Sequence, residues 1–218
     1  MSIDRPGAAL ILVDLQRDFL PGGALAVPEG DAVLPIVNRL QSYFELVVAT
    51  QDWHPANHVS FASNHPGKKV GDVIVVAGQK QVLWPVHCVE NTSGAAFAAD
   101  LETSRIAKIV KKGTDPLIDS YSGFFDNDHL RSTGLAEYLQ DRHVQVVYLA
   151  GLATDYCVKY TALDAVQLGF KVVVINDACR GVNMVPGDAD RAIAEMRAAD
   201  VEISESAALT ATSGESLV

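Results

Sequence analysis

Six short apolar runs recur along the chain, and none of them alternates regularly with polar residues. They are rich in β-branched residues and lie at 8–13, 45–51, 106–110, 144–150, 171–176 and 200–203. Unalternating runs of this length are typical of strands that are buried on both faces. The pattern therefore predicts the strands of a parallel sheet.

Segments with helical periodicity lie between several of these runs. They cover 31–43, 132–141, 155–168 and 187–199. Strands that alternate with helices indicate an α/β fold in which helices cover both faces of the sheet. We therefore expect a three-layer α/β domain built on a six-stranded parallel sheet.

The stretch from Asp52 to Ser104 interrupts this rhythm and is rich in Gly, Pro, Asn and His. Long irregular segments in compact domains are usually functional. The chain shows no internal repeat and no interdomain linker. We predict a single domain over 1–206, with a metal-binding loop region at 52–104, followed by a flexible tail at 207–218.

Composition narrows the class of protein. The 218 residues are 49% hydrophobic, which is enough to fill a large core, and the formal net charge of -10 disfavours nucleic acid and anionic membranes as partners. The chain has no long apolar span, and its first residues lack a signal-peptide core. Three cysteines without a C-x-x-C pair indicate a reducing compartment. We expect a soluble cytoplasmic enzyme.

Cys157 is the first candidate for chemistry. It follows the strand-like run VQVVYLAG and opens the helical stretch DYCVKYTALDAVQLG. The free amides and positive dipole at a helix start favour the thiolate, which predicts a nucleophile. Cysteines at such positions also occur for packing alone. Cys88 and Cys179 are interpreted as small core residues.

Asp14 and Lys112 end two other strand-like runs, in ALILVDLQRDF and IAKIVKKG. A carboxylate at the carboxyl end of a central strand lies where open parallel sheets bind ligands, although it can also cap a turn. Adjacent lysines at a strand end are usually solvated, and we expect this of one of the two. Together, the acid could accept the thiol proton while the cation stabilises the thiolate.

A metal site is predicted in the irregular stretch. In Asp52-x-His54 both side chains fall on one side of an extended segment, His58 follows within reach of a helical turn, and His87 would complete the set. Carboxylate and imidazole ligands suit zinc, iron or manganese. The alternative is that these are ordinary polar loop residues.

The motifs ALILVDLQRDF, KKGTD and GLATDYCV resemble those of the cysteine hydrolases related to isochorismatase, and among them the nicotinamidases. The segments DWHPANHVSFASNHPG and LWPVHCVENTSGAAF are similar to those that supply one divalent metal ion in nicotinamidases. The resemblance extends from Ala8 to about Ser204. The family varies in whether a histidine at the place of His58 binds the metal directly.

The resemblance implies a metal-dependent amidohydrolase that converts nicotinamide to nicotinic acid and ammonia, feeds NAD salvage and also hydrolyses pyrazinamide. Asp14 would take the proton of Cys157, the sulfur would form a thioester, and Lys112 would hold both charges. The oxyanion would meet the backbone amides of Ala153 and Cys157, next to a cis peptide at Leu152-Ala153. The metal would bind the pyridine nitrogen.

The resemblance also implies a pocket for a flat ring. The residues at the matching positions are Phe19, Leu25, Trp84, Tyr121 and Tyr156. The substrate could instead be another small heteroaromatic amide, and a non-enzymatic scaffold on the same fold is a further alternative. Members of the family occur as monomers, dimers and larger assemblies, so the protein could form a homo-oligomer and the sequence leaves its oligomeric state open.

Overall fold

The computed structural model describes residues 5–76 and 78–211. Its strands, in chain order, are β1 (Ala8–Val13), β2 (Leu46–Asp52), β3 (Val73–Val76), β4 (Gln79–Val82), β5 (Ile106–Lys112), β6 (Val146–Leu152), β7 (Lys171–Arg180) and β8 (Glu202–Ser204). Six of them form one sheet in the order β5-β2-β1-β6-β7-β8. Every pairing in that sheet is parallel, which confirms the predicted fold class.

Helices cover both faces of this sheet. They are α1 (Leu34–Leu40), α2 (Leu135–Gln140), α3 (Lys159–Gln167), α4 (Asp188–Ala198) and α5 (Ser206–Ala211). Apolar residues of α1 and α5 belong to one buried cluster, and those of α2, α3 and α4 belong to a second. Successive residues of β1 point alternately into the two, with Leu10 and Leu12 in the first and Ile11 and Val13 in the second. The sheet therefore separates two cores.

Three details differ from the sequence prediction. The region 52–104 is not wholly irregular, because β3 and β4 pair as an antiparallel hairpin within it. The predicted helix 31–43 is an α-helix only over Leu34–Leu40, with 3-10 turns on either side. The start of the predicted tail is helical as α5, because Leu209 is buried in the first core. Residues 212–218 of that tail lie outside the described residues.

The order of the strands determines where a site can form. From β1 the chain builds β2 and β5 on one side, and then β6, β7 and β8 on the other. Ligands of open α/β sheets bind beyond the carboxyl ends of the strands where the order reverses, which here is between β1 and β6. None of the helices described is long and apolar enough to cross a membrane.

Candidate active site

The structure brings Asp14, Lys112 and Cys157 together at this crevice. Asp14 follows β1, Lys112 is the last residue of β5, and Cys157 follows β6. The ammonium nitrogen of Lys112 lies 2.9 Å from Oδ2 of Asp14 and 3.3 Å from Sγ of Cys157. These are the distances of an ion pair and of a hydrogen bond to sulfur. The geometry therefore permits the predicted triad.

Lys112 has further partners, since its Nζ also donates to Oδ1 of Asp52 and, over 3.0 Å, to the carbonyl oxygen of Ser120. Its side chain is fully buried. Burial acts to lower the pKa of Lys112, but the carboxylates of Asp14 and Asp52 outweigh it and raise that pKa well above its usual range. Lys112 is therefore a permanent cation at the centre of the site.

Asp14 is held in an unusual backbone conformation, with φ at 49°. Its Oδ1 accepts a hydrogen bond of 2.7 Å from the hydroxyl of Thr50 on β2. Burial raises the pKa of Asp14, although the nearby Lys112 opposes the rise. A carboxyl group with a raised pKa can take up and return a proton, which is what general acid–base chemistry requires.

Cys157 lies in a π-helical turn, Thr154–Val158, that precedes α3. Burial raises the pKa of its thiol well above the usual range, and the cation of Lys112 opposes this only in part. The sequence predicted a thiolate favoured by free helix amides, and burial acts against that charged form. The neighbouring amides of Tyr156 and Val158 are also occupied, because both donate to the carbonyl of Ala153. A neighbouring base would therefore assist ionisation of this sulfur.

Asp52, His54 and His87 form a second cluster beside the first. Nε2 of His54 lies 3.6 Å and Nε2 of His87 3.8 Å from Oδ2 of Asp52. Their Nδ1 atoms lie 2.9 Å from the carbonyl of Gly113 and 2.8 Å from that of Pro85. Because a carbonyl only accepts, each ring carries its proton on Nδ1 when it is neutral, and the lone pair of Nε2 then faces the carboxylate. Burial acts to lower the pKa of His54, but the carboxylate of Asp52 outweighs it and raises that pKa.

This donor set fits a divalent metal ion. One ligand atom from each of Asp52, His54 and His87 lies within 4.8 Å of the others, and all three residues are buried. Burial lowers the pKa of His87 to about 4, so its ring is neutral at physiological pH, as a ligand must be. Burial acts to raise the pKa of Asp52, but Lys112 and His54 hold it well below its usual range. A mixed carboxylate and imidazole set suits a catalytic metal.

His58 lies in a different environment. Its ring centroid is 4.2 Å from that of His54, and its Nδ1 is 2.7 Å from the hydroxyl of Ser60. Nε2 of His58 is buried and has no hydrogen-bond partner among the described residues. The imidazole atoms of His54 and His58 form a second close group with Asp119, which the sequence analysis did not single out.

Backbone contacts hold the metal cluster in place. Gln16 on the loop after β1 donates to the carbonyl of Asp52 and accepts from its amide, at 2.7 and 2.8 Å. The amide of His54 donates to the carbonyl of Cys88, which ties it to the segment of His87. Gly113 lies so close to His54 that an added Cβ would come within 2.3 Å of the ring. The glycine of the KKG motif therefore makes room for a ligand.

Cys157 and the three residues of the second cluster line a common pocket. Its wall includes all five side chains predicted to bind a flat ring, namely Phe19, Leu25, Trp84, Tyr121 and Tyr156. Trp84 meets Tyr156 edge to face at 4.8 Å between centroids and donates from Nε1 to the hydroxyl of Tyr121 over 3.1 Å. The aromatic side chains thus support each other around the cavity.

Ala153 also lines the pocket, next to Cys157. The peptide bond between Leu152 and Ala153 is cis, as the family resemblance implies. The role of the backbone amides of Ala153 and Cys157 as oxyanion donors stays a prediction.

Comparison with known proteins agrees with this geometry. The isochorismatase domain model matches residues 8–208. The nicotinamidase of Escherichia coli is 52% identical over 204 residues, which are 89% of this chain and 92% of that protein. The chain belongs to the nicotinamidases of the isochorismatase family.

Solved structures of the family show the same fold. A nicotinamidase/pyrazinamidase from Acinetobacter baumanii superposes with a TM-score of 0.92 at 46% identity, covering 94% of this chain and 99% of that one. The pyrazinamidase of Pyrococcus horikoshii, solved in complex with zinc, has a TM-score of 0.75 at 43% identity, covering 92% and 99%.

Two pocket residues of this family member were missed by the sequence analysis. Val182 lies in the coil after β7, and Asp119 lies in an irregular segment after β5. Neither residue type carries a chemical pattern at these positions. Only the folded chain shows that they reach the cavity.

Proposed function

We propose that this protein is a metal-dependent amidohydrolase that converts nicotinamide to nicotinic acid and ammonia through a thioester on Cys157. The observation that supports it most is the buried contact of Asp14, Lys112 and Cys157 at one side of an aromatic pocket, with Asp52, His54 and His87 also facing it. One cluster is suited to nucleophilic attack and the other to holding the substrate ring.

The charges of the site suggest how the thiol is activated. Lys112 is a single cation beside the carboxylates of Asp14 and Asp52 and the thiol of Cys157. Ionising that thiol would add a further buried anion, which is unfavourable unless a carboxylate takes up the proton. As Cys157 attacks the carboxamide carbon, Asp14 accepts the thiol proton. The resulting negative charge on the amide oxygen would be met by the backbone amides of Ala153 and Cys157.

The tetrahedral intermediate then collapses. The carbon–nitrogen bond breaks, Asp14 returns the proton to the leaving nitrogen, and ammonia departs from a thioester of Cys157. A water molecule gives a proton to Asp14 and attacks the thioester carbon. The carbon–sulfur bond breaks, nicotinic acid is released, and the proton on Asp14 returns to the sulfur.

The pocket would position the ring. The side chains of Phe19, Trp84 and Tyr156 offer apolar faces to a pyridine ring, and the ring must lie so that its carboxamide reaches Sγ. Asp52, His54 and His87 would hold the divalent metal, and His58 is a less firm fourth ligand. A bound metal would supply a Lewis acid for the ring nitrogen. Zinc, iron and manganese all suit these ligands.

The setting of the reaction is part of the proposal. Nicotinic acid can be returned to the NAD pool, so the enzyme would serve NAD salvage in the cytoplasm, and pyrazinamide would be a second substrate. The net charge of -10 argues against nucleic acid and membrane partners. A homo-oligomer is compatible with the family.

The direct test is ammonia release from nicotinamide by the purified protein, with nicotinic acid identified by chromatography. The variant Cys157→Ala should release no ammonia but should still bind nicotinamide in calorimetry, because the ring contacts are unchanged. The matched control is Cys179→Ala, which removes a buried thiol outside the pocket and should keep most activity. An active Cys157→Ala enzyme would exclude the thioester route.

A further inference from the structure

The β7–α4 loop (residues 181–187) forms part of the rim of the pocket. Its Val182 lines the cavity directly. Sδ of Met184 lies 3.8 Å from the hydroxyl of Tyr156, itself a pocket residue. A Cβ added at Gly71 would come within 3.2 Å of the methyl group of Met184, so the loop also meets the segment before β3. The position of this loop therefore determines the shape of one pocket wall.

The carboxylate of Asp155 holds the start of the loop. Oδ1 of Asp155 accepts a hydrogen bond of 2.9 Å from the amide of Val182, and Oδ2 accepts one of 2.7 Å from the amide of Asn183. Asp155 is only 5% exposed, so water competes little for these bonds. Hydrogen bonds from amides to an ionised carboxylate are about twice as strong as neutral ones.

The loop conformation depends on this contact. Asn183 has a φ of 51°, in the left-handed region that non-glycine residues seldom adopt. Its own side chain accepts a bond of 2.9 Å from the amide of Ala189 in the first turn of α4. Asp155 and α4 therefore fix the loop from opposite ends.

The position of Asp155 in the chain links this contact to Cys157. It lies in the same π-helical turn as Tyr156 and Cys157. The carboxylate thus joins the turn that carries the nucleophile to the loop that carries the facing wall, without lining the pocket itself. A residue in this position can fix the distance between the sulfur and the bound ring.

We propose that Asp155 is a positioning residue for substrate binding, which sets the pocket wall formed by Val182 by clamping the β7–α4 loop to the nucleophile turn. The inference rests on the proposed nicotinamidase activity. It assigns Asp155 an effect on substrate affinity through the loop, and not on the reactivity of Cys157.

The test is Asp155→Asn. The amide group keeps one acceptor oxygen but places an NH₂ group opposite a backbone N–H, so one of the two bonds is lost. We expect KM for nicotinamide to rise about tenfold, the value of one lost charge-assisted bond, while kcat changes less than about threefold. The alkylation rate of Cys157 by iodoacetamide, which needs no pocket wall, should stay unchanged.

Asp177→Asn is the matched control. Asp177 also accepts two bonds away from the pocket lining, 2.7 Å from the amide and 2.5 Å from the hydroxyl of Ser206. Asp177→Asn should lower Tm by no more than Asp155→Asn does, because the hydroxyl of Ser206 can accept from the new NH₂ group, and it should leave KM unchanged. Val182→Ala tests the wall without touching the clamp, and it should raise KM even if Asp155→Asn fails to fold.

The outcomes separate the alternatives. If Asp155→Asn changes only Tm, as Asp177→Asn does, the residue is merely structural and the proposal fails. Slower alkylation with an unchanged KM would assign Asp155 to the nucleophile instead and overturn the proposal, as would an unchanged KM in Val182→Ala. A wild-type protein that releases no ammonia overturns the proposed function and this role together.

Discussion

At the scale of single residues, Lys112 contacts both clusters of the site with one positive charge. It pairs with Asp14, which would carry the proton, and with Asp52, which would hold the metal, and it donates to the sulfur of Cys157. Acid, nucleophile and metal ligand are therefore coupled electrostatically through one ammonium group. A change at any of them alters the charge balance of the other two.

Lys112→Met should inactivate the enzyme and also destabilise the fold. Removing the cation leaves the buried carboxylates of Asp14 and Asp52 unpaired, which costs about 3–5 kcal/mol in comparable buried pairs. Urea denaturation of the metal-free protein measures the loss. The neighbouring Lys111 is the control, since it is exposed and lies over the ring of Trp53 at 3.5 Å. Lys111→Met should cost less than about 1 kcal/mol, and equal losses would contradict the assigned charge role.

The three cysteines should differ in reactivity although all are buried. Iodoacetamide at neutral pH should modify Cys157, which lines the pocket and has Asp14 as a base. Burial also raises the pKa of Cys179, to about 12, but this thiol does not line the pocket, so it should stay unmodified in the folded protein. Mass spectrometry of the digested protein identifies the labelled site.

Asp14→Asn should slow the labelling of Cys157 without exposing Cys179. The amide keeps the size of the carboxylate but cannot accept the thiol proton. An unchanged rate in this variant would argue against Asp14 as the base.

At the scale of the elements, the contact between β1 and β6 positions Cys157 relative to Asp14. Gly151, near the end of β6, has a φ of 134°, and a Cβ there would lie 2.1 Å from the carbonyl oxygen of Val13. Gly151→Ala should therefore separate the two strand ends, destabilise the protein by several kcal/mol and abolish activity.

Gly134→Ala is the matched control for this variant. Gly134 also has a positive φ, of 83°, but a Cβ there meets nothing within 4 Å. It should cost about 1 kcal/mol from backbone strain alone and leave kcat unchanged. Thermal unfolding and the ammonia assay compare the pair, and similar losses of activity would show that the close approach of β1 and β6 is unimportant.

The sequence was sufficient to predict the sheet because its strands are apolar runs, and β1, β2 and β6 are largely buried on both faces. The edge strands β5 and β8 are instead partly exposed, which the apolar runs did not indicate. The hairpin of β3 and β4 was missed because Val73 and Val75 are exposed and do not pack into either core. Helix α5 was missed because its anchors are isolated contacts: Leu209 packs in the first core and Ser206 bonds to Asp177. Short-range patterns cannot show such isolated contacts.

The same limit applies to the site. Asp14, Lys112 and Cys157 could be predicted because each follows a recognisable strand in a specific motif. The raised pKa of the Cys157 thiol could not be predicted from the sequence, because it depends on how deeply the folded chain buries the sulfur. Asp119 and Val182 likewise reach the pocket only through tertiary packing.

At the scale of the whole molecule, the proposed mechanism would separate the chemistry of the amide from recognition of the ring. We expect benzamide, which lacks a ring nitrogen, to be hydrolysed at least about a hundredfold less efficiently than nicotinamide, because it loses several kcal/mol of positioning. Pyrazinamide keeps a nitrogen at the equivalent place and should remain a substrate. Values of kcat/KM for the three amides test this directly.

Metal removal provides the companion experiment. Dialysis against a chelator should abolish the preference for nicotinamide over benzamide and lower Tm, because Asp52, His54 and His87 then lie close together without a cation between them. Restoring zinc should reverse both effects. Full activity on nicotinamide without metal would show that the reaction does not need the metal site.

The central place of β1 also has a consequence for biosynthesis. This strand leaves the ribosome before both of its partners, and one of them, Val146–Leu152, is translated much later. Until then the nascent chain presents an open, wholly apolar strand edge, which is the kind of surface that aggregates. Stalled chains that end before Val146 should therefore be retained by chaperones that bind apolar segments, whereas chains extended beyond Ser204 should be released and able to mature.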